Sequence, residues 1–469
     1  MIEFFLTYKN LLLQALLSLS LTLFLVFFKI PIFFLHGLFT YIHPDNLSNG
    51  VKAAIRRPDT SDSTSKNNTE LRKRNKSKDK FEFDENNAQI FRLKLDEAHL
   101  QSRLFSDDYR NAFTISFVAI SCFLLHVYLS SSASEESGFG ILVPVLLGSV
   151  AVFKLLILLA KLSFEKSASR WSEKLLCVVF GILGLILGSV TCCRFTSLVL
   201  DFDFGSIDGF GRMFIAVFMS CTSTILFMPS MKIARSFWLG TDQIRSNLSV
   251  MTCEWYGRFV LYANYLLMTL TGLLWIKPLS ELLVINNNNT KNSIRNAERL
   301  AGNIGFSPSE FDKLRIWLLV LSGVLQLVAL RPNLQMYLNE ALLSWYQRLH
   351  ASKVPDLDYS RAKVFLHNHY LCLVVIQFFA PPMLILLFVG FSQVDGHYFD
   401  NYQFMCSLLP CSAFVKEVGL FMAWWVVFVS SVYTSATIAL FRCGNFCNNI
   451  IMYVEQHTTL LQTQSKVSL

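Results

Sequence analysis

Charge is scarce in this chain, and inside its apolar stretches acid is missing altogether. Asp, Glu, Lys and Arg make up 16% of its 469 residues, against about a quarter in an ordinary soluble protein. No Asp or Glu stands in the middle of a long apolar run, which argues against the buried carboxylate on which proton-coupled carriers rely. Catalytic signatures are absent as well. The sequence has no P-loop, no Gly-x-Ser-x-Gly, no His-Glu-x-x-His and no pair of intramembrane aspartates, so nucleotide hydrolysis, serine hydrolysis and zinc or aspartyl proteolysis lack their residues. No Cys and His spacing suits a zinc site. A selectivity-filter motif and the internal repeat of broken helices seen in many carriers are also missing. The expectation is a protein that is not an enzyme and needs no cofactor or metal.

What the chain has instead is oil-soluble sequence. Hydrophobic residues make up 53% of it, with 42 Phe, and they gather into stretches of about 20 residues, the length that crosses a bilayer as a helix. The runs are Asn10 to Phe28, Asn111 to Ser130, Phe139 to Lys161, Glu173 to Thr191, Arg212 to Pro229, Arg258 to Ile276, Lys313 to Arg331, Tyr370 to Phe391 and Val418 to Phe441. The fold class is therefore all-α: a polytopic helical membrane protein with about nine transmembrane helices, interfacial amphipathic helices and one long, partly disordered cytoplasmic loop. Residues 1–35 form an N-terminal signal-anchor helix, 36–110 the polar basic loop, 111–441 the membrane domain and 442–469 a short tail. The first run reads as an anchor because its apolar stretch outlasts a signal-peptide core and no small-x-small site follows it, with cleavage as the alternative.

Orientation follows from the bases. Of the 41 Lys and Arg, 30 fall on one side if the N-terminus is outside, and ten on the other; basic loops stay in the cytoplasm. The sequon at Asn288 then lies in an exterior loop, where glycosylation is expected, whereas Asn46, Asn67, Asn75 and Asn247 head sequons on the cytoplasmic side. Cys406 and Cys411 share the last exterior loop, at a spacing that suits a small disulfide ring or two free thiols. Cys443 and Cys447 follow the last run, where juxtamembrane cysteines are sometimes palmitoylated.

From Pro58 to Lys80 the long loop has Leu71 as its one large apolar residue and cannot bury enough area to fold. Its run of bases either rests on anionic headgroups or is a solvated linker. Phe91, Leu93 and Leu95 alternate with Arg92, Lys94 and Asp96, a short strand pattern. Two connectors read as amphipathic helices, levers or packed struts at the membrane face: Ile233, Phe237, Ile244, Leu248, Met251 and Trp255 in one, Leu334, Leu338, Ala341, Leu342, Trp345 and Leu349 in the other.

Polar groups within the runs each need a reason, since a charge at the bilayer centre costs at least about 2.5 kcal/mol on insertion scales. Lys154 is the foremost candidate, with snorkelling to the headgroups as its simplest explanation. His126 is the one histidine placed to relay a proton, and Gln326 and Gln377 can hydrogen-bond across helices. Gly181, Gly184 and Gly188 make a small-residue stripe that permits close helix approach. Pro144, Pro229 and the pair Pro381 and Pro382 are expected to break or kink their helices. His367 and His369, at the mouth of the eighth run, read as an interfacial cap rather than a metal or acyl-transfer pair.

Four segments carry a resemblance. FDKLRIWLLVLSGVLQLVALRPNLQMYLNEA at Phe311 to Ala341, LLWIKPL at Leu273 to Leu279, FMPSMKIA at Phe227 to Ala234 and AWWVVFVSSVYTSATIALF at Ala423 to Phe441 resemble, in the same order, stretches of the transmembrane protein 161 family of eukaryotes. Residues that match its pattern include Trp275, Lys277, Pro278, Phe311, Leu314, Arg315, Trp317, Gln335, Tyr337, Leu338, Asn339, Trp424 and Trp425. The N-terminal loop and the last exterior loop diverge. The resemblance implies a multi-pass protein of the endomembrane system or plasma membrane, connected with cation currents and tolerance of oxidative stress. Its partners would be the lipid bilayer and ion channels or other membrane proteins, not nucleic acid. Three classes follow in order: a non-enzymatic regulator acting through membrane partners, a channel or transporter, and a membrane-embedded enzyme.

Overall fold

The computed structural model describes residues 8–42, 91–132, 138–165, 171–191, 199–202, 209–241, 253–283, 307–351, 357–394 and 413–443. The elements run α1 (Lys9–Phe27), α2 (Ile30–Leu35), β1 (Phe39–Ile42), β2 (Phe91–Lys94), α3 (Glu97–Gln101), α4 (Ser106–Ser132), a 3-10 turn (Gly138–Ile141), α5 (Leu142–Ser163), α6 (Trp171–Thr191), α7 (Gly209–Thr241), α8 (Trp255–Leu273), α9 (Lys277–Leu283), α10 (Pro308–Ala351), α11 (Leu357–His369), α12 (Leu371–Ser392) and α13 (Ala413–Cys443). Every one of the nine apolar runs lies largely within a helix. Eight of those helices are long and apolar enough to cross a membrane. The ninth, α8, is diluted by Arg258, Asn264 and its tyrosines, yet its 19 residues cover the same distance as its neighbour. At its start Gly257 lies by Pro332 of α10, and at its end the Leu274 carbonyl accepts a 3.2 Å bond from Arg315 Nε near the start of α10. The protein is an integral, multi-pass membrane protein, and the helices assign its segments alternately to two ends.

α12 stands at the centre. Nineteen of its 22 residues are buried, packed against α13, α10, α4 and α5. Such all-round burial follows from composition, because α12 has apolar residues on every face and no polar side to turn outward. α13 and α7 pack beside each other, and α1 and α6 lie at the rim. On α1 only Gln14 and Leu25 are buried, and α6 exposes Leu175, Val179, Ile182 and Ile186. Aromatic rings fill the seam between α4 and α12, where Phe113 stacks on Phe379 with centroids 5.3 Å apart.

The glycine stripe of α6 faces α7. A Cβ at Gly181 would come within 2.2 Å of Thr224 Oγ1, and one at Gly184 within 2.7 Å of Ser223 Cβ. Without side chains there the backbones approach closely enough for Ser220 Oγ to donate a 2.8 Å bond to the Gly181 carbonyl.

Two expectations change. The amphipathic connectors do not form separate interfacial helices among the described residues. α7 runs through Pro229 to Thr241, and α10 through Pro332 to Ala351. An i to i−4 hydrogen-bond ladder does not stop at the bilayer face, and the stripe Leu334, Leu338, Ala341, Leu342 and Trp345 is buried in the fold, which favours continuing the helix. The second half of the first connector, residues 242–252, lies outside the described residues. Nor do the prolines break their helices: Pro229, Pro381 and Pro382 sit within continuous ones, and Pro144 falls in the first turn of α5, where its missing N–H costs nothing. The alternating segment does become β2, paired antiparallel with β1 in the register Phe39 with Lys94 and Ile42 with Phe91.

Candidate functional site

Among the described residues, a polar constellation lies at the end of the bundle that gathers the basic loops. It begins with the ribbon of β1 and β2. Gln335 on α10 clasps Phe39, accepting from its N–H at 2.9 Å and donating Nε2 to its carbonyl at 3.1 Å. Gln335 also donates to Asn339 Oδ1 at 2.9 Å, and that oxygen accepts the Tyr41 hydroxyl at 3.1 Å. From the other side Asn368 of α11 accepts from the Thr40 hydroxyl and donates Nδ2 to the Tyr41 carbonyl at 2.6 Å. An edge strand, which would otherwise offer bare amides, is thereby closed by side-chain amides.

Deeper in the same end Lys232 of α7 donates Nζ to Oε1 of Gln377 on α12 at 2.6 Å. Gln377 is fully buried and its Nε2 has no partner among the described residues. Glu173 and Glu340 are the acids whose fields reach Lys232, and Glu340 also pairs with Arg235 Nη2 at 2.7 Å. Tyr337 stacks on the His367 ring at 4.8 Å, and His367 Nδ1 lies 2.9 Å from the Lys363 carbonyl. Burial pushes the His367 imidazole down to about 4, against the opposing pull of Glu340, so it is neutral at physiological pH. His369 lies apart from this contact, stacked on Phe365.

The family-pattern residues divide between this end and the opposite one. Gln335, Tyr337 and Asn339 belong here. At the far end Arg315 is buried; its Nη1 meets Asp201 at 2.7 Å and Asp312 at 3.4 Å, and its guanidinium lies over the rings of Phe311 and Trp275. Trp275 stacks on Phe202 at 4.5 Å. Trp424 donates Nε1 to the Gly272 carbonyl at 3.0 Å and Trp425 to that of Met219 at 3.3 Å. The Lys277 amide donates to Val199 O at 2.8 Å, which with the bridge of Leu200 to Ile276 ties α8 to the chain leaving α6. Trp317 is exposed on the apolar face of α10, and Pro278 is exposed at the start of α9.

Of the four intramembrane candidates, the structure gathers one into the constellation. Lys154 is half-buried on α5 and makes no hydrogen bond or ion pair with the described residues. Among the described residues Gln326 does not reach across helices: its Nε2 bonds Ser322 Oγ at 3.2 Å, one turn back on α10, and its Oε1 has no partner there. His126 is buried on α4. Gln377 does bond across, and its partner Lys232 stands three residues beyond the run that ends at Pro229. A lysine three residues past a proline in an apolar run is the signal that could have found it. Asn288, Cys406 and Cys411 lie outside the described residues.

Among the described residues, eight helices long and apolar enough to cross a membrane, with α8 packed among them and polar groups gathered at their ends, define a multi-pass integral membrane protein. The model of the family described as predicted transmembrane protein 161AB matches residues 208–433, and over that stretch the chain is similar to that family. No solved structure matches the chain.

Proposed function

We propose that the protein is a non-enzymatic regulator of ion currents and membrane homeostasis that acts through membrane partners. The observation that carries this reading is α12: an apolar helix, buried on all sides, fills the axis where a conduit would run. The rim helices α1 and α6 meanwhile present long apolar faces for lipid or for neighbouring spans. The family resemblance supplies the connection to cation currents and oxidative stress. Purified protein in liposomes tests the claim. Potassium and proton flux should equal that of empty vesicles, while expression in cells alters the current of a resident cation channel; flux above the empty-vesicle leak refutes it. The second reading, a channel or transporter, draws on Lys232, a cation within a spanning helix that is held by Gln377. The same vesicles decide, because a transporter's flux would change in Gln377→Leu.

A further inference from the structure

α2, the ribbon, the start of α8 and the middle of α10 line an open cavity of about 650 Å3 at the basic end. Its lining changes character along α10. Val324, Leu327 and Val328 form an apolar wall, and one turn further on stands Arg331, with Gln335 and Asn339 beyond it on the same wall. Arg92 of β2 contributes a second guanidinium and Glu254 the one carboxylate. Both arginines are held in place. Arg331 donates Nη1 to Phe34 O at 3.3 Å and Nη2 to His36 O at 3.1 Å, and the Arg92 guanidinium lies 3.6 Å over the Phe39 ring. A guanidinium has five N–H donors, so Arg331 keeps three for another acceptor.

The apolar wall does not end inside the cavity. Val328, Val324, Leu321 and Trp317 follow one another at helical spacing and are 43%, 45%, 51% and 70% exposed. At about 1.5 Å per residue this stripe is ~16 Å long, close to half of the ~30 Å hydrocarbon core. A track as long as one leaflet is deep, headed by two guanidiniums against one carboxylate, is complementary to a single class of molecule. We infer that the cavity is a site for an anionic glycerophospholipid, with its phosphate on Arg331 and Arg92 and an acyl chain along Val328, Val324 and Leu321. Arginine suits this task because its planar fork takes two phosphate oxygens at once. A water-soluble phosphate would gain nothing from the stripe, and a zwitterionic lipid less from the net positive rim.

The test uses the full-length protein, delipidated in mild detergent and titrated with dioleoyl phosphatidylglycerol or dioleoyl phosphatidylcholine, with bound lipid counted by native mass spectrometry. Phosphatidylglycerol should bind at least about tenfold more tightly than phosphatidylcholine, a difference of ~1.4 kcal/mol. Arg92→Gln, on an exposed strand residue, should lower the phosphatidylglycerol affinity several-fold. Val328→Trp, which fills the slot and keeps both arginines, should abolish tight binding while leaving the melting temperature unchanged. Equal binding of the two lipids, or wild-type affinity in both variants, overturns the proposal. So does a tenfold rise in lipid affinity on trimming the 43–90 connector, because the connector would then be the resident occupant.

Discussion

The contact between Lys232 and Gln377 lends itself to a double-mutant cycle. The lysine's Nζ reaches the glutamine's Oε1 over 2.6 Å between α7 and α12. Neutral interhelical hydrogen bonds in membranes average about 0.6 kcal/mol, whereas bonds to a charged group are worth about 1.5–3 kcal/mol. The short distance, the formal charge and the complete burial of Gln377 place this one in the upper class. Gln377→Leu removes the bond but also the unpartnered Nε2, a group whose burial costs about 1–3 kcal/mol, so the single variant should lose only about 1 kcal/mol. Lys232→Met leaves both polar atoms of Gln377 unpaired and should cost about 2–3 kcal/mol. In the double variant the orphan is gone, and the total should fall short of the sum by about 1.5 kcal/mol or more. Reversible unfolding in mixed micelles, followed by tryptophan fluorescence, measures all four corners. Additivity to within about 0.5 kcal/mol would mean that the two side chains are not energetically joined, and the reasoning fails.

Gly184→Val places methyl groups where a Cβ already meets Ser223 at 2.7 Å; α6 must withdraw from α7, at a cost of about 1–3 kcal/mol by the same unfolding assay. Arg315→Met should lose about 2–3 kcal/mol, since the Leu274 carbonyl is left without its donor and the stacking on Trp275 is lost. Arg315→Lys should recover less than half of that, for want of a planar fork. Gln335→Ala frees both backbone groups of Phe39 and should raise amide hydrogen exchange across residues 39–42 while the spanning helices keep their protection. Burial holds the His367 imidazole near 4 in the folded protein against an ordinary 6.5, so the unfolded chain takes up its proton first as the pH falls. Its contribution is whole above pH 6.5 and drains away towards pH 4, by at most about 3 kcal/mol; His367→Phe should flatten that part of the stability curve.

Apolar length is a local property, and for that reason the spans were legible residue by residue. So was β2, because Phe91, Leu93 and their polar alternates carry a period of two in the chain itself. Its partner was not: Phe39 to Ile42 has no such alternation and borrows its strand geometry from Gln335, Asn339 and Asn368, which lie some 300 positions away. The prolines do not break α7 and α12 because a Pro removes one rung of a ladder, and lateral packing outweighs that loss. The candidate site was hidden for a related reason. Lys232 and Gln377 stand 145 residues apart, and each looks ordinary within its own helix. Arg315 and the tryptophans were named from resemblance alone; the structure supplies what the sequence could not, the carbonyls and carboxylates of other helices that they hold.

The ribbon also fixes the two ends of everything between them. The chain leaves the ribbon at Ile42 and re-enters it at Phe91, and those two residues are register partners, so the two ends of the 48 residues between them are held together by a buckle of side-chain amides. Loop entropy grows only with the logarithm of length: doubling the ring would cost about 0.6 kcal/mol. Length alone is therefore a cheap variable here, and a fluorescent tag inserted between the two strands should leave the cost of closing the ring almost unchanged, provided the buckle is left alone.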